Sequence, residues 1–259
     1  MPDYPVLILV AALGLALGSF FNVVIYRLPL KRSLVRPGSR CTVCARALAW
    51  YENIPVVSYV VLGGRCRTCK TRISPIYPAI EIITAVIAVT WYVHYGPGLL
   101  FLSQVVFAFA LIVLFAIDLQ HRILPNVITL PGIVVGFIFS VLTPAGLGPG
   151  WVSSLIGILA GGGLLWGIAE AYYRIRGEEG LGMGDVKMIG MIGAFLGWQG
   201  MLITLVLSSL LGSIVGVAMI VAKKGDMKYA LPFGSFLTIG ALIASLAGGP
   251  IVRWYASFY

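Results

Sequence analysis

Long apolar runs separated by short polar stretches set the pattern of this chain. Runs long enough, or nearly so, to cross a hydrocarbon core of about 30 Å occupy residues 6–26, 77–95, 99–117, 127–142, 151–173, 186–198, 201–222 and 231–247. The pattern predicts eight transmembrane helices. The sixth run is the shortest, but Asp185 stands beside its start, and Gly190 and Gly193 suit a helix packed closely against its neighbours. Gly161-Gly162-Gly163 in the fifth run, and Gly212 with Gly216 in the seventh, read as close-packing architecture of the same kind.

Composition turns this pattern into a class. With 59% hydrophobic and 10% charged residues over 259 positions, and a mean hydropathy of +0.99, the chain has too much apolar surface for a soluble domain. The expected fold is an all-α polytopic membrane protein. Eight crossings put the segments 27–76, 118–126, 174–185 and 223–230 on one side of the bilayer. Of the 18 Lys and Arg residues, all but Arg253 fall in these segments or at their margins. The positive-inside rule makes that side cytoplasmic and puts both termini outside. The first run has its positive charges after it rather than before it, the reverse of a cleavable signal peptide, so it reads as a retained helix. The net charge of +9 does not point to nucleic acid, because topology alone accounts for where the charges lie.

All four cysteines fall in the first polar segment, as Cys41-Thr42-Val43-Cys44 and Cys66-Arg67-Thr68-Cys69. Each CxxC can turn two thiolates toward one ion, and two such pairs make a tetrahedral four-thiolate site of the zinc type. A disulfide framework is the alternative, and it fits a reducing compartment poorly. Four thiolates fill the coordination shell, so the metal is expected to be structural and to supply much of the folding free energy of a loop with little apolar material. The neighbouring Arg40, Arg46, Arg65, Arg67, Lys70 and Arg72 suit either solvent or anionic headgroups of the lipid bilayer.

Only nine acidic residues are present, and two of them stand at the edges of apolar runs, where an ionised group is costly. Asp118 ends the third run and Asp185 opens the sixth, which the topology puts on the same side at matched depth. Two carboxylates brought together can share one proton and activate water against an amide. The leading reading is an aspartic protease within the membrane. Gly182 and Gly184 around Asp185 permit close approach of a substrate strand or an unusual turn. The plainer alternative makes Asp185 a helix N-terminal cap and Asp118 a solvated helix end. His121 would share a helical face with Asp118, Lys187 suits snorkelling, and His94 belongs with Trp91, Tyr92 and Tyr95 in an aromatic belt. An ion-coupled transporter with paired aspartates is the competing function, and a metal-stapled scaffold without catalysis is another.

As a whole the chain resembles the type IV prepilin peptidases, the bifunctional leader peptidase and N-methyltransferase family of bacterial pilus and type II secretion systems. The motifs that carry the resemblance are Gly18-Ser19-Phe20-Phe21-Asn22 with Arg27-Leu28-Pro29, the two CxxC pairs with Trp50-Tyr51-Glu52-Asn53-Ile54-Pro55 between them, Tyr77-Pro78-Ala79-Ile80-Glu81, the Asp118 segment, and Gly182-Met183-Gly184-Asp185. Two departures stand out. Ser235 replaces the second proline of a Pro-Phe-Gly-Pro-Phe pattern, and Ile76 stands where an arginine is common.

The resemblance implies cleavage of a short basic leader from type IV prepilin or pseudopilin precursors at the cytoplasmic face of the bacterial inner membrane. Methylation of the new N-terminus with S-adenosylmethionine follows. It implies that Asp118 and Asp185 are catalytic and that Gly18, Asn22, Arg27, Glu52, Asn53 and Glu81 are candidates for the methyl-donor site. Residues 1–98 are expected to hold the metal loop and methyltransferase-like region, and residues 99–259 the protease region. Oligomeric state is not legible in the sequence.

Overall fold

The computed structural model describes residues 4–144, 146–177, 182–222 and 232–258. The expected loop 223–230, Leu231 at the start of the eighth run and residues 178–181 of the third loop lie outside the described residues. Eight α-helices follow in order: α1 Tyr4–Arg27, α2 Val57–Val61, α3 Ile76–Tyr95, α4 Leu99–His121, α5 Asn126–Leu142, α6 Trp151–Arg176, α7 Met183–Val221 and α8 Phe233–Ala256. Among the described residues the only β structure is two isolated bridges. The protein is all-α and polytopic.

Six helices, α1, α3, α4, α6, α7 and α8, are long and apolar enough to cross a membrane, and α5 is a shorter apolar helix. The 39 residues of α7 span roughly 58 Å at 1.5 Å per residue, about twice a hydrocarbon core. It is one helix only by hydrogen bonding, because Gly197 inside it has φ 71° and ψ −179°, a conformation open to glycine alone. A methyl group on Gly161 of α6 would lie 3.1 Å from Met201 Cγ and 3.4 Å from the Ile189 carbonyl oxygen. Residues on either side of Gly197 thus reach the same point of α6, so α7 folds back as a helical hairpin. Its two halves correspond to the sixth and seventh expected runs, and α5 to the fourth.

The chain divides into two compact units, Met1–Pro97 and Gly98–Tyr259. In the first, α1 and α3 pack backbone to backbone. A methyl on Gly14 would stand 2.7 Å from Ala85 Cα and one on Gly18 2.6 Å from Glu81 Cα, closer than any side chain allows.

In the second unit the core joins Phe107, Leu111 and Leu114 of α4 to Met188, Ile189, Met191, Ile192 and Phe195 of α7 and to Leu237 and Ala241 of α8. The Phe107 and Phe195 rings stack at 4.8 Å, a favourable offset arrangement of buried aromatics. A methyl on Gly157 would meet the Gly193 carbonyl oxygen at 2.7 Å, and Ser154 Oγ donates to the Ala194 carbonyl at 2.8 Å, so α6 lies flat on the first half of α7. Of the Gly161-Gly162-Gly163 run only Gly161 meets a neighbour, while Gly162 and Gly163 face open space. The large apolar side chains left exposed along the spans, such as Leu159, Ile214 and Val217, are the lipid-facing surface that a membrane helix requires.

Candidate active site and metal centre

Asp118 lies in the last turn of α4, which stops at Arg122, a residue in the left-handed region (φ 54°) whose N–H donates to the Asp118 carbonyl at 2.8 Å. Pro125 then starts α5, since a proline cannot continue the previous helix. The Asp118 side chain is buried, at 5% exposure. Its Oδ2 accepts the Ser235 backbone N–H at 2.7 Å and the Ser235 hydroxyl at 2.9 Å. Ser235 stands in the first turn of α8, where backbone N–H groups lack full helical partners. A buried carboxylate at that helix N-terminus is therefore both hydrogen-bonded and favoured by the helix dipole.

Asp185 lies in the first turn of α7, half-buried, with its N–H donating to the Gly182 carbonyl at 3.0 Å. Leu124 ties the two acids together. A methyl on Gly184 would stand 3.0 Å from Leu124 Cβ, and one on Gly234 would stand 2.9 Å from Leu124 Cδ1 and 3.1 Å from Asp118 Oδ2. Asp118 and Asp185, 67 positions apart in the sequence, thus share one end of the helical unit, and glycines beside each leave room around them. Lys187 Nζ donates to Asn126 Oδ1 at 2.9 Å. His121 is exposed.

In the first unit the four cysteine Sγ atoms all lie within 4.8 Å of one another, and Cys41 Sγ stands 3.7 Å from Cys69 Sγ. A tetrahedral ion with metal–sulfur bonds of about 2.3 Å needs sulfurs about 3.8 Å apart, so the set fits a closed four-thiolate site. Two matching knuckles build it. Cys41 N–H donates to the Arg46 carbonyl and Cys66 N–H to the Thr71 carbonyl, bridges join Arg40 to Ala47 and Arg65 to Arg72, and Ala45 (φ 55°) and Lys70 (φ 57°) turn left-handed directly after each second cysteine.

The thiols are unequal. The Thr71 hydroxyl and backbone N–H bring Cys69 down to about 6. At Cys44 the Arg46 backbone N–H favours the thiolate, but desolvation and the adjoining thiols win and push it up to about 11. Four sulfurs this close cannot all ionise without a cation among them.

The residues around this centre are tied into the fold. Glu52 is buried, accepts from Arg46 Nη2 at 2.6 Å and from the Ala49 N–H at 2.8 Å, and the Arg46 guanidinium, ahead of the Ala49 N–H, holds its carboxyl below the usual range. Asn53, next on the same Trp50–Asn53 turn, is exposed. Arg27 donates to the Ser33 and Gly38 carbonyls at 3.0 and 3.1 Å. Asn22 Nδ2 donates to the Tyr77 carbonyl at 3.0 Å, Gly18 is the close-approach point beside Glu81, and Glu81 Oε2 accepts the Val56 N–H at 2.7 Å. Gly18, Asn22 and Glu81 are thus brought together along the α1 and α3 contact, whereas Glu52 and Asn53 sit on the loop. Sequence reasoning missed Ser235 as a partner of Asp118 and Val56 as a partner of Glu81. The signal available for Ser235 was its place as a departure inside a recurring motif; for Val56 there was none.

Residues 12–95 match the bacterial peptidase A24 N-terminal domain, and residues 105–217 match the type IV leader peptidase family. The chain is 36% identical over 277 residues to a prepilin leader peptidase/N-methyltransferase of Aeromonas salmonicida, covering 96% of this chain and 93% of that protein. It is 35% identical over 271 residues to the Pseudomonas aeruginosa protein of the same name, covering 95% and 92%. With the Myxococcus xanthus protein of that name the identity is 38% over 210 residues, covering 81% of this chain and 62% of the other. No solved structure matches the chain.

Proposed function

The chain belongs to the type IV leader peptidase family, and on that premise we propose that it removes the leader from type IV prepilin-like precursors and then N-methylates the exposed residue. The observation that supports the peptidase reading is that Gly184, beside Asp185, and Gly234, against Asp118 Oδ2, both pack on Leu124. One carboxylate takes a proton from water as the water attacks the scissile amide, and the other, protonated, donates to the carbonyl oxygen. Water delivers its oxygen to the carbonyl carbon, the amide nitrogen leaves as an amine, and the pair is restored by proton exchange. Both acids stand at helix ends rather than at mid-span, which suits a peptide approaching from the membrane surface and not a proton relay through the bilayer.

Methyl transfer is assigned to the first unit, with S-adenosylmethionine as donor, and cleavage to the second. The neighbourhood of Glu52 and Asn53, with Gly18, Asn22, Arg27 and Glu81 shaping it, is the donor side. Cys41, Cys44, Cys66 and Cys69 hold zinc, which supplies folding free energy to the loop and no open coordination position for chemistry. The protein is assigned to the bacterial inner membrane, with both termini periplasmic and the aspartates facing the cytoplasm.

The test is incubation of the purified protein in lipid with a pilin-like precursor and S-adenosylmethionine, followed by mass analysis. Loss of the leader and a gain of one methyl group on the new N-terminus are expected. An intact precursor after prolonged incubation would remove the peptidase reading, and a cut but unmethylated product would remove the second activity.

A further inference from the structure

Val56 has φ 61° and ψ −48°, a left-handed backbone rare for any β-branched residue. Its neighbours close a three-residue turn around it, with the Val57 N–H donating to the Pro55 carbonyl at 2.5 Å. This is the strained form of the γ-turn, and conformations of that kind persist only where the surroundings over-determine them. The turn joins the Trp50–Asn53 segment to α2. What holds it is Glu81 of α3, whose Oε2 accepts the Val56 N–H at 2.7 Å.

Glu81 is itself fixed. It is buried at 7% exposure, and its backbone lies against Gly18 of α1, where a methyl would come within 2.6 Å of Glu81 Cα. A buried carboxylate that accepts a backbone N–H makes a charge-assisted bond, the strong kind. One residue therefore links α1, through its backbone at Gly18, to α3 and, through its side chain, to the loop that carries Glu52 and Asn53.

We propose that Glu81 is a positioning residue for methyl transfer, clamping the strained Val56 turn so that the Trp50–Asn53 segment is held in register with α1 and α3, and not a group that touches the methyl donor. This rests on the methyl-transfer assignment above. Two physical consequences separate it from donor contact. A neutral acceptor of the same shape preserves the clamp, because Gln retains an oxygen for the Val56 N–H. Glycine at position 56 adopts the positive φ without strain and so makes the clamp dispensable.

The experiment compares the full-length protein in lipid with E81A, E81Q, V56G and the double variant E81A/V56G. Methyl transfer from S-adenosylmethionine to a pre-cut pilin-like peptide and leader cleavage of the precursor are measured side by side. E81A is expected to lower kcat for methyl transfer by about 10- to 100-fold, the scale of a hydrogen bond to a charged group, with leader cleavage held within about threefold. E81Q is expected within about threefold of wild type with KM for S-adenosylmethionine unchanged, and V56G is expected to return E81A to within about threefold of V56G alone. A rise of tenfold or more in KM for the donor in E81Q, with no recovery in the double variant, would overturn the clamp in favour of donor contact. Equal loss of cleavage and methylation in E81A without recovery would reduce Glu81 to a general fold support. Trypsin cleavage at Arg65 reads the same turn without any catalysis: it should quicken in E81A and slow again in E81A/V56G. A wild-type protein that never methylates would overturn the assignment of methyl transfer, and the trypsin comparison would then decide the clamp by itself.

Discussion

Asp118 and Ser235 stand 117 positions apart, yet the Ser235 N–H and hydroxyl both converge on Oδ2 of the aspartate, at 2.7 and 2.9 Å. The last turn of α4 is thereby fastened to the first turn of α8. An oxygen that accepts two donors is held as an acceptor, which leaves the other carboxylate oxygen of Asp118 and the carboxyl of Asp185 to handle protons. The pairing also explains why the start of α8 carries no side-chain cap of its own: the cap is supplied from another helix.

Asparagine at either acid removes the exchangeable proton while preserving shape. Asp118→Asn and Asp185→Asn should each lower leader cleavage by about 10²- to 10⁴-fold, the usual contribution of general acid–base catalysis, with the protein still accumulating in the membrane. Cleavage rates on a precursor peptide, normalised to the amount of membrane-inserted protein, make the check. Near-normal cleavage by either variant would take that residue out of the pair.

Gly234 packs closely against the proposed catalytic Asp118. An added methyl would press on Asp118 Oδ2 at 3.1 Å and on Leu124 Cδ1 at 2.9 Å. Gly234→Ala should lower leader cleavage by at least about tenfold, since sub-ångström displacement of a reacting group costs that much or more. Gly162→Ala is the control, because a methyl there meets nothing within 4 Å, and its cleavage should match wild type.

The apolar runs made the membrane class and the positions of the long apolar helices legible, because a span needs only length and hydropathy to be recognised. The hairpin in α7 was visible as two adjoining runs, 186–198 and 201–222, although the break itself lies at Gly197, inside the first of them. Asp118 and Asp185 were legible as acids out of place in apolar sequence. Their shared neighbour Leu124 was not, nor was the Ser235 contact, since tertiary partners distant in the sequence leave no local periodicity. The cysteine pairs announced their cluster by spacing alone, whereas the strained turn at Val56 has no glycine or asparagine to mark it.

Glu52 gives the metal loop an acid sensitivity of definite sign. Its carboxyl is held below the ordinary range by the Arg46 guanidinium and the Ala49 N–H, so the folded state binds its proton less readily than the unfolded chain does. The stabilisation is therefore complete above the ordinary glutamate value of about 4.3 and is lost as pH falls through the lower folded value. Protease resistance of the loop, followed from about pH 6 to about pH 3, should decline in wild type, and the Glu52→Gln loop should start weaker and decline less over that window. Parallel curves for the two proteins would show that the ion pair does not contribute.

The thiolate cluster makes the last separation, between a folding metal and a catalytic one. Cys41, Cys44, Cys66 and Cys69 are close enough to surround a single ion completely, so the purified protein should carry about one zinc per chain. Cys69→Ser removes the thiol that Thr71 brings down to about 6, and should lower metal content severalfold and expose the loop to trypsin. Because the aspartates lie in the other unit, the same variant should lose methyl transfer to a pre-cut peptide more than it loses leader cleavage, while Asp185→Asn should do the opposite. Metal analysis, trypsin digestion and the two separate assays on the same preparations make the comparison. A Cys69→Ser protein that keeps its zinc, or one that loses both activities in equal measure, would show that the loop and the aspartates work as one site.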